Sequence, residues 1–154
     1  MALQKQVNTE FAVGVAGDLV NVTDKVYTAI NPIAETAVKA GAFCFAGTDP
    51  LKQAKAGGTS VLGFVQRVYQ YLNESLTVGA TMEIPVGSGL SVIKKGYCYA
   101  TSTTEATVGQ KVLADATTGA ISTGASATSG ANVDTGWTVM KGGAVGEVIV
   151  IGNW

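Results

Sequence analysis

The sequence predicts an all-β protein, a single antiparallel barrel or jelly-roll-like sandwich preceded by an extended N-terminal arm. Two observations carry this. From Ser60 onward, runs of Val, Ile, Phe and Tyr are punctuated by glycine at intervals of roughly 8 to 12 residues, the spacing of short strands and tight turns. Several of those glycines stand where a hairpin needs positive φ. About eight strands are expected after residue 40, with residues 1–30 as the arm and 31–154 as the β-rich domain.

The arm comes first. "MALQKQVNTEFAVGVAGDLVNVT" sustains neither a helical nor a strand period, and Gly14 and Gly17 interrupt its apolar stretch. Val7, Phe11, Val13, Val15 and Leu19 are nevertheless too apolar for a tail that stays in water. The expectation is an arm that docks weakly on its own domain and becomes ordered across a partner. "NPIAETAVKAG" has Pro near its start and Gly after its end, which permits a short helix, while "TAVKAGAFCFA" also reads as a strand bulged at Gly41.

In "SVLGFVQRVYQYL", Leu62, Phe64, Val68 and Leu72 share one alternation. Val65, Val68, Leu72 and Leu76 also fit a helical stripe, but the Val, Phe and Tyr content favours a strand. "TMEIPV" and "LSVIKKGYCYA" are joined through "GSG", read as a hairpin turn, and Pro85 places its strand at an edge or ends it. "QKVLA" and "AIS" flank "DATTG", whose Asp115 and Gly119 suit a hairpin connection. Thr123 to Thr135 is low in complexity and reads as a surface loop, or as a loop ordered by a neighbouring subunit. "WTVMK" and "GEVIVIGNW" are the closing strands. The unalternating Val148–Ile151 run is expected to be covered on both faces.

Two passages nearly repeat each other, "AGAFCFA" and "KKGYCYA". In a strand the flanking rings point to one face and the cysteine to the other. A nucleophilic thiolate needs a base or a cation beside it, and the 154 residues contain no histidine. Packing is therefore the expected role of Cys44 and Cys98, two similar strands each placing its thiol in one layer and its rings in the other, with a disulfide the lesser alternative in a chain that shows no secretory signal.

The missing histidine also removes a standard triad, an ordinary catalytic zinc site and a histidine general base. The acidic residues are scattered among turns, and "VGSGL" lacks the lysine and hydroxyl of a phosphate loop. No catalytic, cofactor-binding or metal residue is expected. With 10 basic and 11 acidic residues there is no cationic stripe for nucleic acid. No apolar run reaches the roughly 18 residues of a spanning helix, and the start shows no signal-peptide pattern, so no membrane partner and synthesis in a cytosol are expected. The composition, 47% hydrophobic and 14% charged, fits a surface largely covered by protein partners.

Taken in order, "EFAVGVAGDLVN", "LGFVQRVYQYL", "MEIPVGSGLSVIKKGYCYA", "TVGQKVLADATTGAIS" and "VIVIGNW" resemble the structural cement, or capsid decoration, proteins of tailed bacteriophages. The resemblance spans most of the chain. "NPIAETAVKAG" departs from the glycine-proline-rich segment common in that family, and the stretch from Thr123 is longer than in a minimal member. The resemblance implies a non-enzymatic protein without cofactor, made in the host cytoplasm and placed on the outside of the virion, where it bridges major capsid proteins. It further implies a homo-oligomer, with a trimer favoured over a dimer. The expected capsid or subunit contacts are Val7, Phe11, Val13, Val15, Leu19 and Trp154. The alternative is a β-rich receptor- or carbohydrate-binding module of a virion, which would cluster its aromatics in an exposed groove.

Overall fold

The computed structural model describes residues 14–68 and 82–154. Among them there are no helices, and the strands, in order, are β1 Lys25–Tyr27, β2 Ile33–Ala34, β3 Val38–Lys39, β4 Phe43–Ala46, β5 Gln53–Lys55, β6 Val61–Val65, β7 Glu83–Ile84, β8 Val92–Thr101, β9 Lys111–Asp115, β10 Ile121–Gly124, β11 Asn132–Lys141 and β12 Val148–Asn153. Ten of these form one sheet in the order β10-β9-β11-β12-β8-β6-β4-β5-β2, with β1 beside β8, and β3 and β7 form a separate ribbon. The all-β expectation holds. No closed barrel is found among the described residues: their large sheet runs from β10 to β2 without closing, and it is mixed, because β2 and β5 run parallel.

Strand β8 organises the molecule. Gly96 is paired with Lys25 of β1 and with Asn153 of β12, so those two strands flank β8 on opposite sides. Ile93 is paired with Tyr27 of β1 and with Phe64 of β6. Hence β6 and β12 share one side of β8, β12 along its C-terminal part and β6 at its start. The sheet divides there into two wings, β12-β11-β9-β10 and β6-β4-β5-β2.

One apolar cluster lies between the wings, with Phe43 and Phe64 from the second meeting Trp137 from the first. The ring centroids are 5.6 Å (Phe43 and Phe64), 5.7 Å (Phe43 and Trp137) and 5.9 Å (Phe64 and Trp137) apart, two of the three pairs edge-on. That geometry suits the ring quadrupoles. A second cluster, of Ala34, Val38, Cys44, Val65, Ile84, Leu90 and Val92 among others, covers the opposite face of β4 and β6 and includes a residue from each strand of the β3-β7 ribbon. Strands β4 and β6 are thus covered on both faces, which is why Phe43, Cys44, Phe45, Phe64 and Val65 are all fully buried.

The free edge of β10 is met by main chain and hydroxyls. Thr103 N donates to Ile121 O at 2.8 Å, Thr123 N to Thr104 Oγ1 at 2.8 Å, and Thr123 Oγ1 to Glu105 O at 2.9 Å. At the other end, Ala34 N donates to Ser88 O and Gly87 N to Ala34 O, covering β2. Both edges are blunted against open-ended strand addition.

Several local expectations change. Within "SVLGFVQRVYQYL" the strand ends at Val65, and Tyr69–Leu72 lie outside the described residues. Leu62 and Phe64 do not share a face. Cys44 pairs with Gly63 but Phe45 with Val61, so Leu62 is the extra residue of a bulge. Val61 and Phe64 then face the first cluster, Leu62 and Val65 the second. "GSG" makes a turn, with Gly87 at φ 85° and Ser88 N donating to Pro85 O, but no hairpin, since β7 pairs with β3 rather than β8. β7 does end before Pro85. "NPIAETAVKAG" forms no helix: the two-residue β2 and β3 lie there, and a turn at Ala40–Gly41 separates β3 from β4. The loop read from Thr123 to Thr135 shortens to residues 125–131, because β10 reaches Gly124 and β11 begins at Asn132.

Candidate functional site

The expected contact residues fall on the arm and at the C-terminus. Val7, Phe11 and Val13 lie outside the described residues. From Gly14 on, the chain runs along the side of β8 that β12 leaves free. Gly17 N donates to Tyr99 O at 2.8 Å, Tyr99 N to Asp18 O at 2.9 Å and Val20 N to Tyr97 O at 2.9 Å, with Leu19 bridged to Cys98. Further on, β1 pairs with the Ile93–Gly96 stretch of the same strand.

Side chains fasten this root. Arg67 Nε and Nη2 each donate to an Asp18 carboxylate oxygen at 2.8 Å, a bidentate pair that is largely buried on the arginine side. Gly17, at φ 96°, lies where a Cβ would come within 2.8 Å of Arg67 Cβ and 3.2 Å of Gly41 N. Only glycine combines that conformation with that approach. Residues 14–20, expected to dock weakly, are therefore held on their own domain by main-chain bonds and a charge pair.

Of the described contact candidates, Leu19 packs against the protein's own core. Val15 is 46% exposed and Trp154 59% exposed. The Trp154 ring lies 5.9 Å from that of Tyr97, centroid to centroid, and Tyr97 in turn covers Gly152. Trp137 is 2% exposed inside the core, so the two tryptophans do not form a shared aromatic groove.

The cysteine repeat resolves into two opposite arrangements. Cys44 lies in the second cluster with Phe43 and Phe45 in the first, whereas Cys98 lies in the first cluster with Tyr97 and Tyr99 turned outward, half-buried. Both are free thiols, and burial pushes each up to about 12. Among the described residues, no group of three or more His, Cys, Asp or Glu is placed to hold a metal.

Sequence reasoning missed three surface features: the Asp18–Arg67 clasp, an exposed apolar rim at Ile30 and Leu51, and the Lys94–Lys95 pair. The last has a signal in hindsight, since "VIKKGY" places two adjacent lysines inside an otherwise apolar strand. The other two need knowledge of which loops meet.

The described residues thus form an all-β domain with blunted sheet edges, two free buried thiols and apolar residues exposed on its loops and ends. The chain belongs to the structural cement protein family: the family model described as structural cement protein (E217 gp24/Pam3 gp6) matches residues 3–153. It is a bacteriophage structural protein of the virion capsid, with a capsid-stabilising role. Among solved structures, a chain from "The capsid of Myoviridae Phage XM1" shares the fold with a TM-score of 0.63 at 15% identity, the match covering 99% of this chain and 97% of that one. No curated protein matches.

Proposed function

We propose that the protein binds the outer surface of the icosahedral head and bridges neighbouring major capsid proteins, acting as a homo-oligomer, a trimer ahead of a dimer, and carrying out no catalysis. The observation that supports this best is the fastened root of the arm. A segment pinned to β8 at Gly17–Val20 hands any pull on the preceding residues directly to the central strand of the fold. The family match runs through that arm, beginning at residue 3. Val7, Phe11, Val13 and Val15 are the contacts on the arm, Leu19 sets its root, and Trp154 supplies a contact at the other terminus.

Bridging works through multivalency. A standard interface buries about 1,600 Å², and an oligomer that grips several capsid subunits makes each later contact intramolecular, so modest individual contacts suffice. The test is to mix purified protein with undecorated heads of the same phage and image them. Ordered density at symmetry-related positions is expected, and heads that stay bare at saturating protein would overturn the proposal.

A further inference from the structure

The division of the sheet at β8 leaves a notch. On the side that β12 and β6 share, β12 ends opposite Gly96 and the pairing of β6 with β8 begins at Phe64 opposite Ile93, so Lys94 and Lys95 stand between them with no strand partner on that side. There the side-chain amide of Asn153 donates to Lys94 O at 3.1 Å. The space is a cavity of about 290 Å³ with Leu62 and Gly63 on one wall, Trp137 and Asn153 on the other, and both lysines lining it. A second hollow of about 150 Å³, walled by Ile30, Pro32, Pro50 and Leu51, adjoins the first, with Leu62 and Lys94 lining both. Its rim is apolar and open: Ile30 is 61% and Leu51 77% exposed.

Charge identifies the occupant. Lys94 and Lys95 are exposed and make no ion pair among the described residues, where the ion pairs are those of Lys52, Arg67 and Lys111. The chain as a whole carries a net charge of −1, so this positive notch does not reflect a generally basic surface. Two cations between apolar walls suit one carboxylate flanked by apolar side chains. A phosphate backbone would call for a row of cations instead.

We propose that this groove takes an extended, carboxylate-bearing segment of the capsid protein, Lys94 and Lys95 meeting its acid while the hollow at Ile30 and Leu51 takes an adjoining apolar side chain. This rests on the capsid-binding reading above and names the chemistry of one contact within it. The complementary charges steer association and fix the register of the segment.

The experiment measures decoration of undecorated heads by the full-length protein, a Lys94→Glu/Lys95→Glu variant and a Lys94→Arg/Lys95→Arg variant, with thermal unfolding of each as a folding control. The glutamate variant should bind at least about tenfold more weakly, and the arginine variant within about twofold of the parent. Raising salt from about 50 to about 500 mM should weaken the parent more than the glutamate variant. In parallel, a photo-crosslinking p-benzoylphenylalanine at position 51 should capture a capsid peptide that contains Asp or Glu. Equal decoration by the folded glutamate variant overturns the groove while leaving capsid binding intact. So does a cross-link to a second copy of this chain, or to a capsid segment without an acid. Heads left bare by the parent protein overturn the capsid-binding reading, and this one with it.

Discussion

Cys44 and Cys98 show how burial alone sets the behaviour of a residue. Each is raised from 9.0 to about 12, with burial the leading cause, because a thiolate in an apolar layer loses its hydration. The folded state therefore keeps protons that the unfolded chain releases, and the associated stability is complete below pH 9 and lost as pH rises towards 12. Cys44→Ala and Cys98→Ala should flatten the alkaline fall in stability relative to the parent, read by denaturant unfolding at several pH values; parallel curves would contradict this. Cys44→Ser and Cys98→Ser should each cost about 1 to 3 kcal/mol, the penalty for a hydroxyl in an apolar layer, without weakening capsid binding of the folded protein. Asp115 behaves in the opposite sense. Its Oδ1 accepts from Thr118 N at 2.8 Å, Thr117 N at 2.9 Å and Thr118 Oγ1 at 3.0 Å, and these bonds hold its pKa below the ordinary value. Its contribution is present above the unfolded carboxylate range and disappears as pH falls. Asp115→Ala should cost about 1 kcal/mol at neutral pH and progressively less in acid.

At the scale of elements, the hairpin β9-β10 was legible because turn chemistry is local: the Asp115–Gly119 turn needs only its own residues, with Gly119 at φ 72°. The path of β7 was not, since its partner β3 lies more than 40 residues earlier in the chain and no local signal chooses between β3 and β8. The bulge at Leu62 was hidden for the same reason. Alternation reads correctly up to the extra residue, and only the pairing of Cys44 with Gly63 and Phe45 with Val61 reveals the slip. The C-terminal strand was readable only in part: Ile149 and Ile151 are fully buried, and Ile151 pairs with Cys98 and Val139, but Val148 and Val150 are half-buried, so the run alternates and is not fully covered on both faces. Deleting Ile151 to Trp154 should remove three pairs with β8 and two with β11 and give insoluble or unassembled protein. Trp154→Ala should leave a folded domain, losing about 0.5 to 1.5 kcal/mol of ring contact with Tyr97. A soluble, normally assembled truncation would contradict the central role of β12. The root of the arm makes its own prediction. Arg67→Met leaves the Asp18 carboxylate without its bidentate partner and should cost about 1 to 3 kcal/mol, with faster hydrogen exchange at the Gly17, Val20 and Tyr99 amides.

For the whole molecule, the all-β class and the absence of helices among the described residues were legible, because β-branched and aromatic content repeats along the chain. Closure was not. Whether strands end in a ring or in two capped edges depends on the Thr103–Glu105 and Ser88 contacts, which no periodicity encodes. The proposed contact surface was only partly readable. Apolar arm residues are visible in sequence, but the notch at Lys94 exists only because β6 and β12 take successive stretches of one side of β8. Removing residues 1–12 should leave the melting temperature of the isolated protein nearly unchanged while sharply lowering occupancy on heads at equal concentration. Full decoration by the truncated protein would move the contact entirely to the folded domain.

The pairing of Gly17–Val20 with Tyr97–Tyr99 has a mechanical consequence. When a head swells, tension reaching Gly14 along the direction of β8 meets those hydrogen bonds in shear, so that they must rupture together. Tension applied across the strand would peel them one at a time. The same attachment is therefore strong along one axis and weak along another, and under the arm contact proposed above the orientation of the protein on a shell would set how much expansion it resists before the arm tears free.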